Sequence, residues 1–121
     1  MVGGIEVNIL AVDDEHFALN DLRESIETAL PENPVFCFNK STDALDFAKE
    51  TKIDIAFLDI DMGGMNGLQL AKHLKDIYGE TNIIFVTGYT QYAIDAFSVY
   101  ASDFIIKPVS IEAITTAIIN S

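Results

Sequence analysis

The chain has 121 residues and a mass of 13.3 kDa, the size of one ordinary domain. Half of it is hydrophobic and only three residues are proline, which excludes a disordered tail, a low-complexity linker and a collagen-like repeat. Seven basic against 19 acidic residues leave a charge of −12, which repels phosphate backbones and anionic lipid heads, so this chain alone is expected to bind neither nucleic acid nor membranes. The first predicted strand is Val7–Val12, ending abruptly in Asp13-Asp14. A helix follows with Leu19, Leu22, Ile26 and Leu30 on one face and Pro31 as its stop. Val35-Phe36-Cys37-Phe38 is the second strand, and Ser41 or Thr42 is the expected N-cap of a helix carrying Ala44, Leu45, Phe47 and Ala48. The third strand, Ile53–Leu58, again ends in an acid, Asp59. Residues 62–67 read as a flexible loop before a helix with Leu70, Ala71, Leu74, Ile77 and Tyr78 on one face, ended by Gly79. Ile83–Val86 forms the fourth strand, ending at Thr87-Gly88. Ala93, Ala96, Phe97 and Tyr100 mark an amphipathic helix, Phe104-Ile105-Ile106 a short fifth strand ending at Lys107-Pro108, and a last helix starts at about Ser110.

Strands this apolar, without alternation, indicate burial on both faces, as in a parallel sheet covered by helices. The reading is an α/β fold, a (βα)5 doubly wound five-stranded parallel sheet with no repeat and no linker. The single cysteine, Cys37, cannot form an internal disulfide and predicts a buried free thiol. No basic segment precedes the first apolar stretch, and no apolar run approaches the ~18 residues of a membrane span. A soluble, cytoplasmic protein is expected.

In such a sheet, ligands bind beyond the carboxyl ends of the strands. Those ends are Asp13-Asp14, Asp59, Thr87 and Lys107. Any one of them is weak, since polar residues start loops everywhere, but three carboxylates, a hydroxyl and a lysine on one edge form a chemical set. Three adjacent carboxylates repel one another and need a cation, and all-oxygen ligation suits Mg²⁺. Lysine and threonine can bind phosphoryl oxygens, and one carboxylate can act as a nucleophile to give an aspartyl phosphate.

The blocks "ILAVDDE", "DIAFLDIDMGGMNGLQLAKHL", "IIFVTGY" and "YASDFIIKPVS" resemble the receiver domain of two-component response regulators over essentially the whole chain. The "DID" after the third strand and the "QYAIDAF…ASDFIIKP" ending look most like LytTR (AlgR-type) transcriptional regulators. The resemblance implies a flavodoxin-like receiver with strand order 2-1-3-4-5, filling residues 1–121 as the N-terminal part of a longer regulator. It implies that Asp59 accepts a phosphoryl group from a sensor histidine kinase or phosphotransfer protein. Asp14 would ligate Mg²⁺ directly, Asp13 through water, and the backbone carbonyl of Asp61 would complete the protein ligands. Thr87 and Lys107 would each bind a phosphoryl oxygen, Phe104 would be the switch aromatic that follows Thr87, and the Lys107-Pro108 bond would be cis. Such a domain catalyses its own phosphorylation and dephosphorylation and is not a metabolic enzyme. The surface of the 93–100 helix, fifth strand and last helix, with Tyr92, Val99, Ile111, Ile114 and Ile118, would serve as an output or phosphorylation-dependent homodimer interface.

Two positions depart from the family pattern: Gly63 stands where a proline is usual, and Phe104 where a tyrosine is commoner. Asp61 reads first as a solvated loop acid; the sharper idea is that Asp61 and Tyr89 flank the phosphoryl group and set its hydrolysis rate. His16 and His73 read as exposed helix surface. The rivals are a haloacid-dehalogenase-type phosphatase, whose signature Asp59-Ile60-Asp61 imitates, and a pseudo-receiver interaction module.

Overall fold

A computed structural model describes residues 7–88 and 101–119. Each apolar run becomes a strand: β1 (Ile9–Val12), β2 (Val35–Phe38), β3 (Ile55–Leu58), β4 (Asn82–Thr87) and β5 (Ala101–Ile106). Between and after them lie α1 (His16–Ala29), α2 (Ser41–Glu50), α3 (Gly67–Ile77) and α4 (Ile111–Ile119). All pairings are parallel and the order is β2-β1-β3-β4-β5, the flavodoxin-like arrangement. The helix expected around Ala93, Ala96, Phe97 and Tyr100, together with Tyr92, Val99 and Tyr89, lies outside the described residues.

Successive strand residues point to opposite faces, and here both faces are covered, which is why the sequence runs do not alternate. On one side Leu10, Val12, Ala56, Leu58, Ile83 and Phe85 pack against Ala44 and Ala48 of α2 and Leu70, Ala71 and Leu74 of α3. On the other, Ile9, Ala11, Phe57, Ile84 and Val86 pack against Leu22 and Ile26 of α1 and Ile114 and Ala117 of α4. The central strands β1 and β3 are buried throughout, whereas every residue of β2 is only half-buried because β2 is an edge. Cys37, expected to be buried, is therefore a half-buried free thiol. Burial still pushes its pKa up.

Several boundaries differ from expectation for local reasons. β1 begins at Ile9 because side chains take the preceding N–H groups: Val7 donates to Asn33 Oδ1 at 3.0 Å and Asn8 to Asp54 Oδ2 at 2.9 Å. Ile53 precedes β3; its carbonyl accepts the buried Thr81 hydroxyl at 2.7 Å. β5 is six residues long, not three, because Ala101–Asp103 also pair with β4, across an irregularity opposite Ile83 and Ile84. α3 ends at Ile77, and the Lys75 ammonium donates to the carbonyls of Gly79 and Thr81 at 2.8 and 3.0 Å. Neither Ser41 nor Thr42 caps α2: the N-cap position is Lys40, and Ser41 turns inward. Among the described residues no helix is long and apolar enough to cross a membrane.

Candidate functional site

Parallel register brings the strand ends together. Val12 pairs with Leu58, so Asp13 and Asp59 leave the sheet side by side, and the Asp59 N–H donates to the Val12 carbonyl at 2.9 Å. Thr87 pairs with Ile106, and the Lys107 N–H donates to the Thr87 carbonyl at 2.8 Å. The Lys107-Pro108 peptide bond is cis. One carboxylate oxygen from each of Asp13, Asp14 and Asp59 lies within 4.8 Å of the others. The Lys107 ammonium sits among them, 2.7 Å from Asp13 Oδ2 and 3.7 Å from Asp59 Oδ1. Asp13 is 1% exposed, Asp59 6% and Thr87 0%, whereas Asp14 lies open at the rim.

Burying like charges together is unfavourable, and the electrostatics show it. Burial first, then the charges of Asp13 and Asp14, push the Asp59 pKa from 3.8 up to about 6, against the opposing pull of Lys107 and of a hydrogen bond from the Ile60 backbone. Burial alone would lower the pKa of Lys107, but its hydrogen bond to Asp13 and the charges of Asp13 and Asp59 hold it above the usual value. One lysine cannot neutralise three carboxylates. The donor set is all oxygen, compact and anionic, with one member open to water, which fits a hard divalent cation that keeps part of its hydration shell.

The loop after Asp59 is built with backbone contacts that the sequence reading missed. Gly67, assigned there to the end of a flexible loop, opens α3 and lies against the chain that carries Asp59. A Cβ at Gly67 would stand 2.1 Å from the Asp59 carbonyl oxygen and 2.8 Å from Ile60 Cα. Its N–H donates to the Ile60 carbonyl at 3.0 Å. Asn66 and Gln69 then form a reciprocal capping box at the start of α3. The available signal was that pattern, Asn66 and Gln69 flanking a glycine just before an apolar face. Gly64 has φ +71°, the one position in the loop that demands glycine on conformational grounds.

Asp61 is exposed in this loop, and so are His16 and His73 on their helices. Phe104 is half-buried, paired in register with Phe85 and packed on the α2–α3 side of the core.

Residues 9–119 match the family described as the response regulator receiver domain. The chain belongs to this family. The receiver domain is 36% identical over 108 residues to sensory transduction protein LytT of Bacillus subtilis, an alignment covering 89% of this chain and 45% of LytT. It is 31% identical over 108 residues to protein MrkE of Klebsiella pneumoniae, covering 89% of this chain and 40% of MrkE. The crystal structure of a response regulator receiver domain protein from Clostridium thermocellum superposes with a TM-score of 0.84 at 28% identity, covering 94% of this chain and 92% of that one. The receiver domain thus spans less than half the length of these two curated relatives. Membership also removes the haloacid-dehalogenase reading of Asp59-Ile60-Asp61.

Proposed function

We propose that this receiver domain is a Mg²⁺-dependent phosphoacceptor switch in which Asp59 takes a phosphoryl group from a sensor histidine kinase or phosphotransfer protein. The observation that carries the reading is the contact of one lysine with two buried carboxylates, Asp13 and Asp59, inside a set of three. An Asp59 carboxylate oxygen attacks the phosphorus of a phosphohistidine; the P–N bond breaks and the imidazole leaves with its electron pair. Mg²⁺ held by Asp13, Asp14, Asp59 and the Asp61 carbonyl would neutralise charge on the transferring oxygens. Lys107, already beside Asp59, supplies the protein's own positive charge to one phosphoryl oxygen, and the Thr87 hydroxyl donates to another. Water attack at phosphorus later breaks the acyl–phosphate link and restores the carboxylate.

The switch runs from Thr87 to Phe104 and changes the face formed by β5 and α4, where Ile106, Ile111 and Ile119 are exposed. That face serves a phosphorylation-dependent homodimer or an output segment. By its resemblance to LytTR-type regulators, the domain is the N-terminal part of a cytoplasmic transcription regulator whose DNA contacts lie outside it.

Phosphoramidate, a small donor with a P–N bond, tests the reading. With Mg²⁺, wild type is expected to show a phosphate-affinity gel shift that chelator abolishes and Asp59→Asn lacks. An unshifted wild type would make the domain a pseudo-receiver.

A further inference from the structure

The loop that follows Asp59 is fixed at its ends but contains adjacent glycines, Gly63 and Gly64, at its centre. Two hydrogen bonds reach that centre from outside. Asp14 Oδ2 accepts the Gly63 N–H at 3.1 Å, and the Ser41 hydroxyl donates to the Met65 carbonyl at 2.8 Å. The first involves a carboxylate of the acidic cluster itself. The second comes from a residue outside the cluster. Ser41 is 5% exposed at the start of α2 and also lies 3.9 Å from Met62 Sδ. A cleft of about 390 Å³, lined by Asn39, Lys40 and Thr42 on one side and Gly63 and Gly64 on the other, opens beside this contact. Met62 and Met65 on either side of the glycines pack on the core, but side-chain packing does not fill the space behind Gly63 and Gly64 themselves. The Asp14 bond holds Gly63, and the Ser41 bond holds the Met65 backbone that follows the pair.

We propose that Ser41 is a positioning residue of the phosphoacceptor site: it pins the Met65 carbonyl, and through the loop keeps the Gly63 N–H on Asp14 so that the acidic cluster is preset for its cation. The inference rests on the cation-binding reading above. Without the Ser41 hydroxyl, the glycine pair gains freedom, Asp14 loses its orienting donor, and the binding-competent loop becomes a smaller fraction of the molecules. Apparent affinity falls by that fraction. A single hydrogen bond of ordinary strength corresponds to a loss of about two- to tenfold.

Calorimetric titration of the full chain with Mg²⁺ tests this. Ser41→Ala is expected to weaken Mg²⁺ binding about two- to tenfold and to speed amide exchange at Gly63 and Gly64. Adding Gly63→Ala is expected to recover part of the affinity. It keeps the N–H, removes backbone freedom, and puts its Cβ in ordinary contact, 3.9 Å from Asp14 Oδ2. A purely structural serine would lower the unfolding midpoint and leave Mg²⁺ affinity and glycine exchange at wild-type values, and that result overturns the proposal. Should Ser41→Ala not fold, Ser41→Cys, with similar volume and a weak donor, gives the same reading. Absence of Mg²⁺ binding by wild type would instead overturn the cation site itself.

Discussion

Gly67→Ala is expected to destabilise the domain by about 3 kcal/mol or more and to slow phosphoryl acceptance at Asp59 sharply. The added Cβ would meet the Asp59 carbonyl oxygen at 2.1 Å, Ile60 Cα at 2.8 Å and the Asp59 carbonyl carbon at 2.9 Å. All three are backbone atoms, so no side-chain rotation relieves the overlap. Either α3 moves away, breaking the Gly67 N–H to Ile60 bond, or the chain at Asp59 moves. Displacing a reacting group by about 1 Å can cost two orders of magnitude in rate. Gly64→Ala is the control: nothing lies within 4 Å of its Cβ, and only the φ of +71° is strained, at a cost of about 1–2 kcal/mol. Urea unfolding with a phosphorylation time course separates the two. A Gly67→Ala variant with wild-type midpoint and rate would contradict the packing described.

The second large effect is on stability against pH in the cation-free protein. Asp59 titrates at 3.8 when unconstrained and at about 6 in the folded site. The folded state therefore holds its proton more tightly, so the associated stability is complete below about pH 4 and is lost as pH rises through about 6. Asp59→Asn removes that loss. Its stability advantage over wild type should be small near pH 4, grow through pH 6 and level off above it. The shift sets an upper limit of about 3 kcal/mol, and screening by water at the Asp14 rim reduces this to about 1–2 kcal/mol. Thermal melts in chelator across this range should show an advantage of several degrees at pH 7.5, which added Mg²⁺ narrows by binding wild type more tightly. A constant advantage across the range would rule out the burial of Asp59 and its repulsion by Asp13 and Asp14 as the cause.

The strand ends were legible because a parallel sheet buried on both faces writes itself as unbroken apolar runs, each stopped by a polar residue. Asp13, Asp59, Thr87 and Lys107 are those residues. Edges were not legible in the apolar runs themselves, since strand order is a pairing property. The order that makes β2 an edge came from the family resemblance; β2 reads as apolar as β1, and Cys37 was expected to be buried. The first half of β5 was missed because Ala101, Ser102 and Asp103 carry no strand-like pattern; Ala101 and Asp103 pair with Ile83 and Ile84, with the irregularity between them. Ser41 and Gly67 were misjudged because serine before a helix usually caps it and glycine in a glycine-rich stretch usually bends it. Here Ser41 faces Met65 and Gly67 admits Asp59, both contacts between segments distant in local conformation though close in space.

Intact-mass measurement after incubation with acetyl phosphate and Mg²⁺ bears most directly on Asp59 as the phosphoacceptor. Wild type should gain a single phosphoryl increment that is lost on standing, and Asp59→Asn should gain none. An unmodified wild type, or an increment retained in Asp59→Asn, would contradict it.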